Sequence, residues 1–307
     1  MSTSISFVIA TRNRLPLLKI TLSKLWENIR PQDEICIVDG NSSDGTVAFA
    51  QQLLAEGKIN SFRSEKDRNQ SHAWNKAFLD ANGTYIKKII DDDVFDYPSI
   101  FKCADEMDKF PEADICISND LTLNLGSTQS PAHLSRFSWF QKWASGEIPS
   151  FTFGDVHMLI RRSSLPLIGL YHPGFVLMDY EYSLRISHLQ AGILYYTGFN
   201  ALSIYSPVTV THHTGNKRKK NEGERLSPMY EYAGDAAQIP LWSKIKVQIG
   251  RWRDNLTGNQ KKLINRIQSQ ANEVNLTEFY STAYSLLRKE NEKLSKSEFF
   301  LGPFKHK

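Results

Sequence analysis

Three consecutive carboxylates, Asp91, Asp92 and Asp93, close a β-branched run that reads Tyr85-Ile86-Lys87-Lys88-Ile89-Ile90. A strand that delivers three like charges to one point incurs repulsion and desolvation unless a cation joins them. Oxygen-only, carboxylate-rich sites suit Mg2+ or Mn2+, and such ions usually accompany phosphate. The chemistry these residues point to is that of an enzyme handling a nucleotide diphosphate. The alternative is a solvated acidic turn that caps a helix starting near Pro98.

The elements that must position the aspartates are legible upstream. Ile5 to Ala10 is a short apolar strand followed by the polar Thr11-Arg12-Asn13-Arg14. Pro16 suits a first helical turn, and Leu17, Leu18, Thr21, Leu22, Leu25 and Ile29 recur at helical spacing. Glu34 to Val38 is a second strand, running into Asp39-Gly40-Asn41-Ser42-Ser43-Asp44-Gly45, a loop of turn formers and N-caps ahead of another helix. Ile59 to Phe62 is a short third strand, and Trp74, Ala77, Phe78 and Ala81 mark a helix closed by Asn82-Gly83. Alternating strands and helices predict a parallel sheet with right-handed crossovers. Ligands of such sheets lie outside the carboxyl ends of the strands, where Arg12, Asp39 and Asp92 all fall.

Past Pro111 the pattern loosens. Ile115 to Ser118, Leu121 to Leu125 and Val156 to Ile160 read as strands. Residues 126–155 between them are irregular and aromatic-rich, with Phe137, Trp139, Phe140, Trp143, Phe151 and Phe153. These rings are either a sugar-stacking acceptor surface or hydrophobic core. Asp179 to Leu189 reads as a helix, and Val208 to Thr211 as a last strand ending at His212 and His213. From Leu241 the stripe Trp242, Ile245, Ile249, Trp252 and Leu256, edged by lysines and arginines, fits either an interfacial helix or packing on the preceding domain.

Composition sets outer bounds. A chain of 307 residues can bury one large core, and 41% hydrophobic with 23% charged residues is ordinary for a soluble protein. The net charge of +4 gives no argument for nucleic acid. Cys36, Cys103 and Cys116 have neither an even count nor metal-ligand spacing, which predicts reduced core residues in a cytosolic protein. No apolar run approaches the roughly 20 residues that span a bilayer, and the N-terminus lacks a signal-peptide pattern.

Four segments together resemble family 2 glycosyltransferases. They are Phe7-Val8-Ile9-Ala10-Thr11-Arg12-Asn13-Arg14, Ile37-Val38-Asp39-Gly40-Asn41-Ser42-Ser43-Asp44-Gly45-Thr46, the stretch from Asp67-Arg68-Asn69-Gln70-Ser71-His72 through Asn82-Gly83-Thr84-Tyr85-Ile86 into the aspartates, and Met178-Asp179-Tyr180-Glu181-Tyr182-Ser183-Leu184-Arg185. The resemblance covers roughly residues 4–215 and implies the α/β GT-A fold: a Rossmann-like, mostly parallel sheet flanked by helices, here with a helical C-terminal extension. It implies a catalytic domain over 1–215, divided into a nucleotide-binding half (1–97) and an acceptor-binding half (98–215). A basic loop or linker would occupy 216–240, and the extension 241–307.

The resemblance further implies a metal-dependent, inverting transfer of a sugar from a nucleotide-sugar, a UDP-sugar in the first instance, to a hydroxyl of a glycan or lipid-linked acceptor in surface polysaccharide biosynthesis. Its nucleotide-binding residues would be Thr11, Arg12, Arg14, Asp39, Asn69 and Asp91, with Asp39 accepting a base N–H. Asp92, Asp93 and His213 would hold Mn2+ or Mg2+. Asp179 would be the base that takes the acceptor proton, with Glu181 as its alternative. The site would lie in the cytoplasm, peripheral at the inner face of the membrane if the C-terminal stripe is interfacial. Two positions depart from the family pattern: Ile90 stands where its first metal-motif aspartate belongs, and Met178 where an acidic residue often precedes the base. Those departures admit a non-catalytic nucleotide- or glycan-binding domain of the same fold. A sugar-nucleotide nucleotidyltransferase, the other rival, would show a glycine-rich basic loop after the first strand, and Thr11-Arg12-Asn13-Arg14 contains no glycine.

Overall fold

Runs of β-branched and aliphatic residues that are buried on both faces form the strands of one central sheet, as parallel sheets require. The computed structural model describes residues 3–127, 129–206, 216–234, 275–294 and 296–303. In chain order the first half comprises β1 (Ile5–Thr11), α1 (Leu15–Trp26), β2 (Glu34–Asp39), α2 (Thr46–Ala55), β3 (Ser61–Ser64), α3 (Gln70–Asp80) and β4 (Tyr85–Ile89). These are the predicted alternating elements, and β3–β2–β1–β4 pair in parallel throughout.

The second half adds β5 (Val94–Phe95), α4 (Tyr97–Lys109), β6 (Ile115–Ser118), β7 (Asp120–Asn124), β8 (Ala132–Leu134), α5 (Phe137–Ala144), β9 (Met158–Arg161), α6 (Leu165–Ile168), α7 (Met178–His188), β10 (Ile193–Tyr196) and β11 (Ala201–Tyr205). Two further helices, α8 (Asn216–Met229) and α9 (Leu276–Glu292), and the strand β12 (Phe299–Gly302) complete the described chain. The main sheet has the order β12-β10-β6-β9-β4-β1-β2-β3, with β9 and β12 antiparallel to their neighbours. A smaller sheet, β5-β11-β7-β8, stands beside it.

The structure amends three expectations. Residues 216–240, expected as a basic loop or linker, contain α8. Its charge run is organised into i,i+4 pairs, Arg218–Glu222 at 3.0 Å and Lys220–Glu224 at 3.7 Å, which support a helix. Within 241–307, expected as a helical extension, β12 pairs with β10 at the sheet edge. Nearby, Phe279, Tyr280, Ala283 and Leu287 of α9 pack against Val94, Leu121, Leu123 and Leu202. Residues 126–155, expected to be irregular, contain β8 and α5. Phe140, Trp143, Phe151 and Phe153 lie in the core there, so they offer no stacking surface to a sugar. Val208 to Thr211, His212, His213 and the stripe from Trp242 to Leu256 lie outside the described residues. Among the described residues no helix is long and apolar enough to cross a membrane.

Candidate active site

Strand β4 ends one residue before a tight turn closed by the Asp93 N–H donating to the Ile90 carbonyl at 3.0 Å. That turn presents Asp91, Asp92 and Asp93 at the carboxyl edge of the sheet, all three buried. Asp91 is held on both oxygens: Thr11 Oγ1 donates to Oδ2 at 2.6 Å and Arg14 Nη1 to Oδ1 at 2.7 Å. The same Arg14 nitrogen lies 2.9 Å from Asp92 Oδ2. Asp93 Oδ1 accepts the Ile204 N–H at 2.7 Å. Burial pushes the Asp91 carboxyl above the usual range, with Arg14 opposing and Asp92 adding to the rise. Burial, then repulsion from Asp92, raises Asp93 further.

Two hydroxyls fix the main chain of this turn. Thr21 of α1 donates to the Asp91 carbonyl at 3.0 Å, and Tyr280 of α9 to the Asp92 carbonyl at 2.8 Å. Neither was legible as a site residue in the sequence. Thr21 read as one member of a helical apolar stripe, and Tyr280 lies 188 positions from its partner.

Asp39 ends β2, fully buried. Its Oδ2 accepts the Ser42 N–H at 2.9 Å and the Ser64 hydroxyl at 2.7 Å, and its Oδ1 accepts the Ser42 hydroxyl. In this arrangement the carboxylate organises the turn and is closed to solvent. Next to it, a Cβ on Gly40 would come within 3.1 Å of both Arg12 Cδ and Asp67 Oδ2, so any larger residue would push these two side chains back from the turn. Arg12 is exposed, while Asp67 pairs with Lys76 at 2.7 Å. Asn69 N-caps α3 by accepting the His72 N–H at 3.0 Å. Its amide donates to the Pro173 carbonyl at 2.6 Å, which ties α3 to the loop before α7.

Helix α7 separates its two carboxylates. Glu181 is buried and fully engaged: Arg185 Nε lies 2.8 Å away, and the Tyr230 hydroxyl donates at 2.6 Å. Asp179, on the first turn of the same helix, is reached by solvent yet crowded by protein. That crowding raises its carboxyl above the ordinary range; the Asp155 charge adds to the rise and Lys88 opposes it. The N-terminus of α7 is capped from α8, whose buried Glu222 accepts the Val176 and Leu177 N–H groups at 2.8 and 2.9 Å.

Between the turn and α7 lies a buried pair absent from the sequence reading. Lys88 Nζ contacts Asp155 Oδ2 at 2.5 Å, and the Tyr171 hydroxyl donates to the same oxygen at 2.7 Å. The Lys88 ammonium sits 4.5 Å from the Trp74 ring centroid and 5.2 Å from that of Tyr171. Burial opposes ionisation of Asp155, but Lys88 and Tyr171 overcome it and hold the carboxyl below its usual range. Charges of this pair act on both Asp93 and Asp179. The available signal was a pair of lysines, Lys87 and Lys88, inside an otherwise apolar central strand, each of which demands a buried partner.

Hard oxygen donors at Asp91, Asp92 and Asp93 fit a divalent cation by chemistry. The seat between Asp91 and Asp92 is filled by the Arg14 guanidinium, and among the described residues no group of three His, Cys, Asp or Glu is arranged around a metal position.

Comparison with known proteins bears on this geometry. The family model described as Glycosyl transferase family 2 matches residues 6–168. A poly-beta-1,6-N-acetyl-D-glucosamine synthase of Staphylococcus epidermidis is 23% identical over 186 residues, 59% of this chain and 45% of that protein. The chain thus spans less than half the length of that relative. Among solved structures, S. aureus TarS 1-349 in complex with UDP-GlcNAc superposes with a TM-score of 0.51 at 12% identity, covering 94% of this chain and 92% of that one. A mannosyltransferase from Pyrobaculum calidifontis, in complex with GDP-Man and Mn2+, gives a TM-score of 0.51 at 13% identity over 95% and 88% of the two chains. These structural likenesses establish the shared α/β fold.

Proposed function

Because this chain belongs to glycosyl transferase family 2, we propose that it transfers a sugar from a nucleotide-sugar to an acceptor hydroxyl, with inversion, in the building of a surface glycan. The observation that carries the reading is the convergence of two carboxylate sites on one buried ion pair. Asp93 and Asp179 both feel Lys88 and Asp155, which supports a diphosphate site and a base that serve one donor sugar. Asp179 takes the proton of the acceptor hydroxyl as its oxygen attacks the anomeric carbon. The bond from that carbon to the diphosphate breaks on the far face, and its electron pair leaves with the nucleoside diphosphate. Glu181 is left to structure, because Arg185 and Tyr230 already use it.

Mn2+ or Mg2+ is the cofactor of this reading; Asp92 and Asp93 would hold it, and it would supply charge neutralisation to the departing diphosphate. His213, the remaining metal candidate, lies outside the described residues. The UDP-sugar assignment draws support from the UDP-GlcNAc bound to TarS, and the mannosyltransferase holding GDP-Man keeps guanine as the competing base. The acceptor of this reading is a glycan or a lipid-linked sugar.

The test is thermal unfolding with UDP, GDP, CDP and dTDP, each with and without Mn2+. A nucleotide at about 100 times its dissociation constant adds roughly 2.7 kcal/mol of stability. One base is expected to raise the midpoint, with Mn2+ enlarging the shift. Silence from all four nucleotides would remove the donor site and leave a binding domain of another kind.

A further inference from the structure

A single nitrogen, Arg14 Nη1, bridges Asp91 Oδ1 at 2.7 Å and Asp92 Oδ2 at 2.9 Å. One positive centre between two carboxylates does the electrostatic work of a bound metal ion. We infer that Arg14 is a built-in counter-cation that competes with the divalent ion for Asp92 and, once displaced, pairs with the donor diphosphate. This deepens the proposed donor-site reading and rests on it.

Three observations support the exchange. First, the turn carries three buried carboxylates. The other nearby cation, Lys88, is committed to Asp155, so Arg14 is what keeps the pocket stable before a metal arrives. Second, a guanidinium does not deprotonate, and here the two aspartates hold it more firmly charged despite its own burial. It can therefore yield its place only by moving. Third, it has somewhere to go. Arg14 is the residue just before the first turn of α1, and its side chain is 25% exposed while those of Asp91 and Asp92 are 2% and 10% exposed. Its guanidinium is thus partly open to solvent, and once released such a fork matches phosphate oxygens in pairs.

Calorimetry with Mn2+ alone, then with UDP at saturating Mn2+, tests this on wild type and on Arg14→Gln. Competition predicts opposite signs: the variant binds Mn2+ roughly tenfold tighter, yet binds UDP more weakly once Mn2+ is present. A purely structural role for Arg14 would weaken both or neither. Equal or weaker Mn2+ binding by the variant overturns the inference while leaving the donor reading intact. If neither protein binds Mn2+, the inference and the metal assignment both fall, and UDP-induced stabilisation still judges the donor site separately.

Should Arg14→Gln not fold, the wild-type protein gives the answer. With arginine labelled in 15N, the Arg14 Nε–H resonance is expected to shift on adding Mg2+, with the dissociation constant that calorimetry gives for Mg2+. A resonance unmoved at saturating Mg2+ overturns the exchange.

Discussion

At the residue scale, the two carboxylates on α7 show how packing divides work between groups of one chemical type. Glu181 faces inward and is neutralised by Arg185, whereas Asp179 is open to solvent and its charge is set chiefly by its crowded surroundings and the Lys88–Asp155 pair. Asp179→Asn is expected to lower transfer by at least about a hundredfold. It should leave nucleotide-induced stabilisation unchanged, so activity assay and melt are read side by side. Since the base acts ionised and its carboxyl is raised, the rate should fall with decreasing pH at a value above the ordinary carboxylate midpoint of about 4. The pH profile of kcat/KM locates that limb. Lys87, the neighbour of Lys88, points to the opposite face. It is fully buried and donates to the Val156 carbonyl at 2.6 Å, and burial lowers its pKa to about 7. Between pH 7 and its unfolded value near 10.5 the unfolded chain binds the extra proton, so wild-type stability rises with pH in that window. Lys87→Met removes this slope. The difference in urea midpoints between the two proteins at pH 7 and pH 9 measures it. Both lysines were visible in the sequence as charges inside a strand, but their partners were not, because Asp155 and Val156 lie some seventy positions away.

At the scale of elements, the parallel half was legible because local periodicity and loop chemistry agree there, from β1 through β4. What stayed hidden were the contacts that later elements make back onto the site. The run Lys217-Arg218-Lys219-Lys220 reads in the sequence either as a mobile lid over the diphosphate or as a solvated charge run. In the fold, α8 carries Glu222 to the N-terminus of α7, where a carboxylate satisfies two orphan N–H groups and complements the helix dipole. Glu222→Ala leaves those donors buried without a partner, at a cost of about 1–3 kcal/mol. Because the loosened element carries Asp179 and not the donor pocket, kcat is expected to fall while UDP affinity holds. A drop in UDP affinity of the same size would show that α8 supports the whole domain, not α7. Tyr280 makes the parallel case on the other side: Tyr280→Phe keeps the ring in its packing and removes only the hydroxyl from the Asp92 carbonyl. The expected result is a Mn2+ affinity lowered severalfold, with nucleotide binding in the absence of metal unchanged, both read by calorimetry.

At the scale of the molecule, the last described segment decides whether the catalytic body can stand without its C-terminal residues. The family resemblance stops at about residue 215, and the periodicity beyond it predicts helices alone. Nothing local in Phe299-Phe300-Leu301-Gly302 says that it pairs with Ile193–Tyr196, more than a hundred residues earlier. In the fold, α9 lays Phe279, Tyr280 and Leu287 on the apolar face of the small sheet, and Phe300 packs on Phe137 with ring centroids 4.6 Å apart. Burying three such side chains contributes roughly 1.5–3 kcal/mol each. That sum is comparable to the whole stability of a domain, about 5–15 kcal/mol. A chain ending at residue 274 would also bare β10 as a sheet edge, a template for aggregation. Such a truncation is therefore expected to lose the cooperative thermal transition and to elute as aggregate, with no nucleotide rescuing it. A monomer that melts cooperatively and still responds to UDP would mean that α9 and β12 are dispensable to the fold.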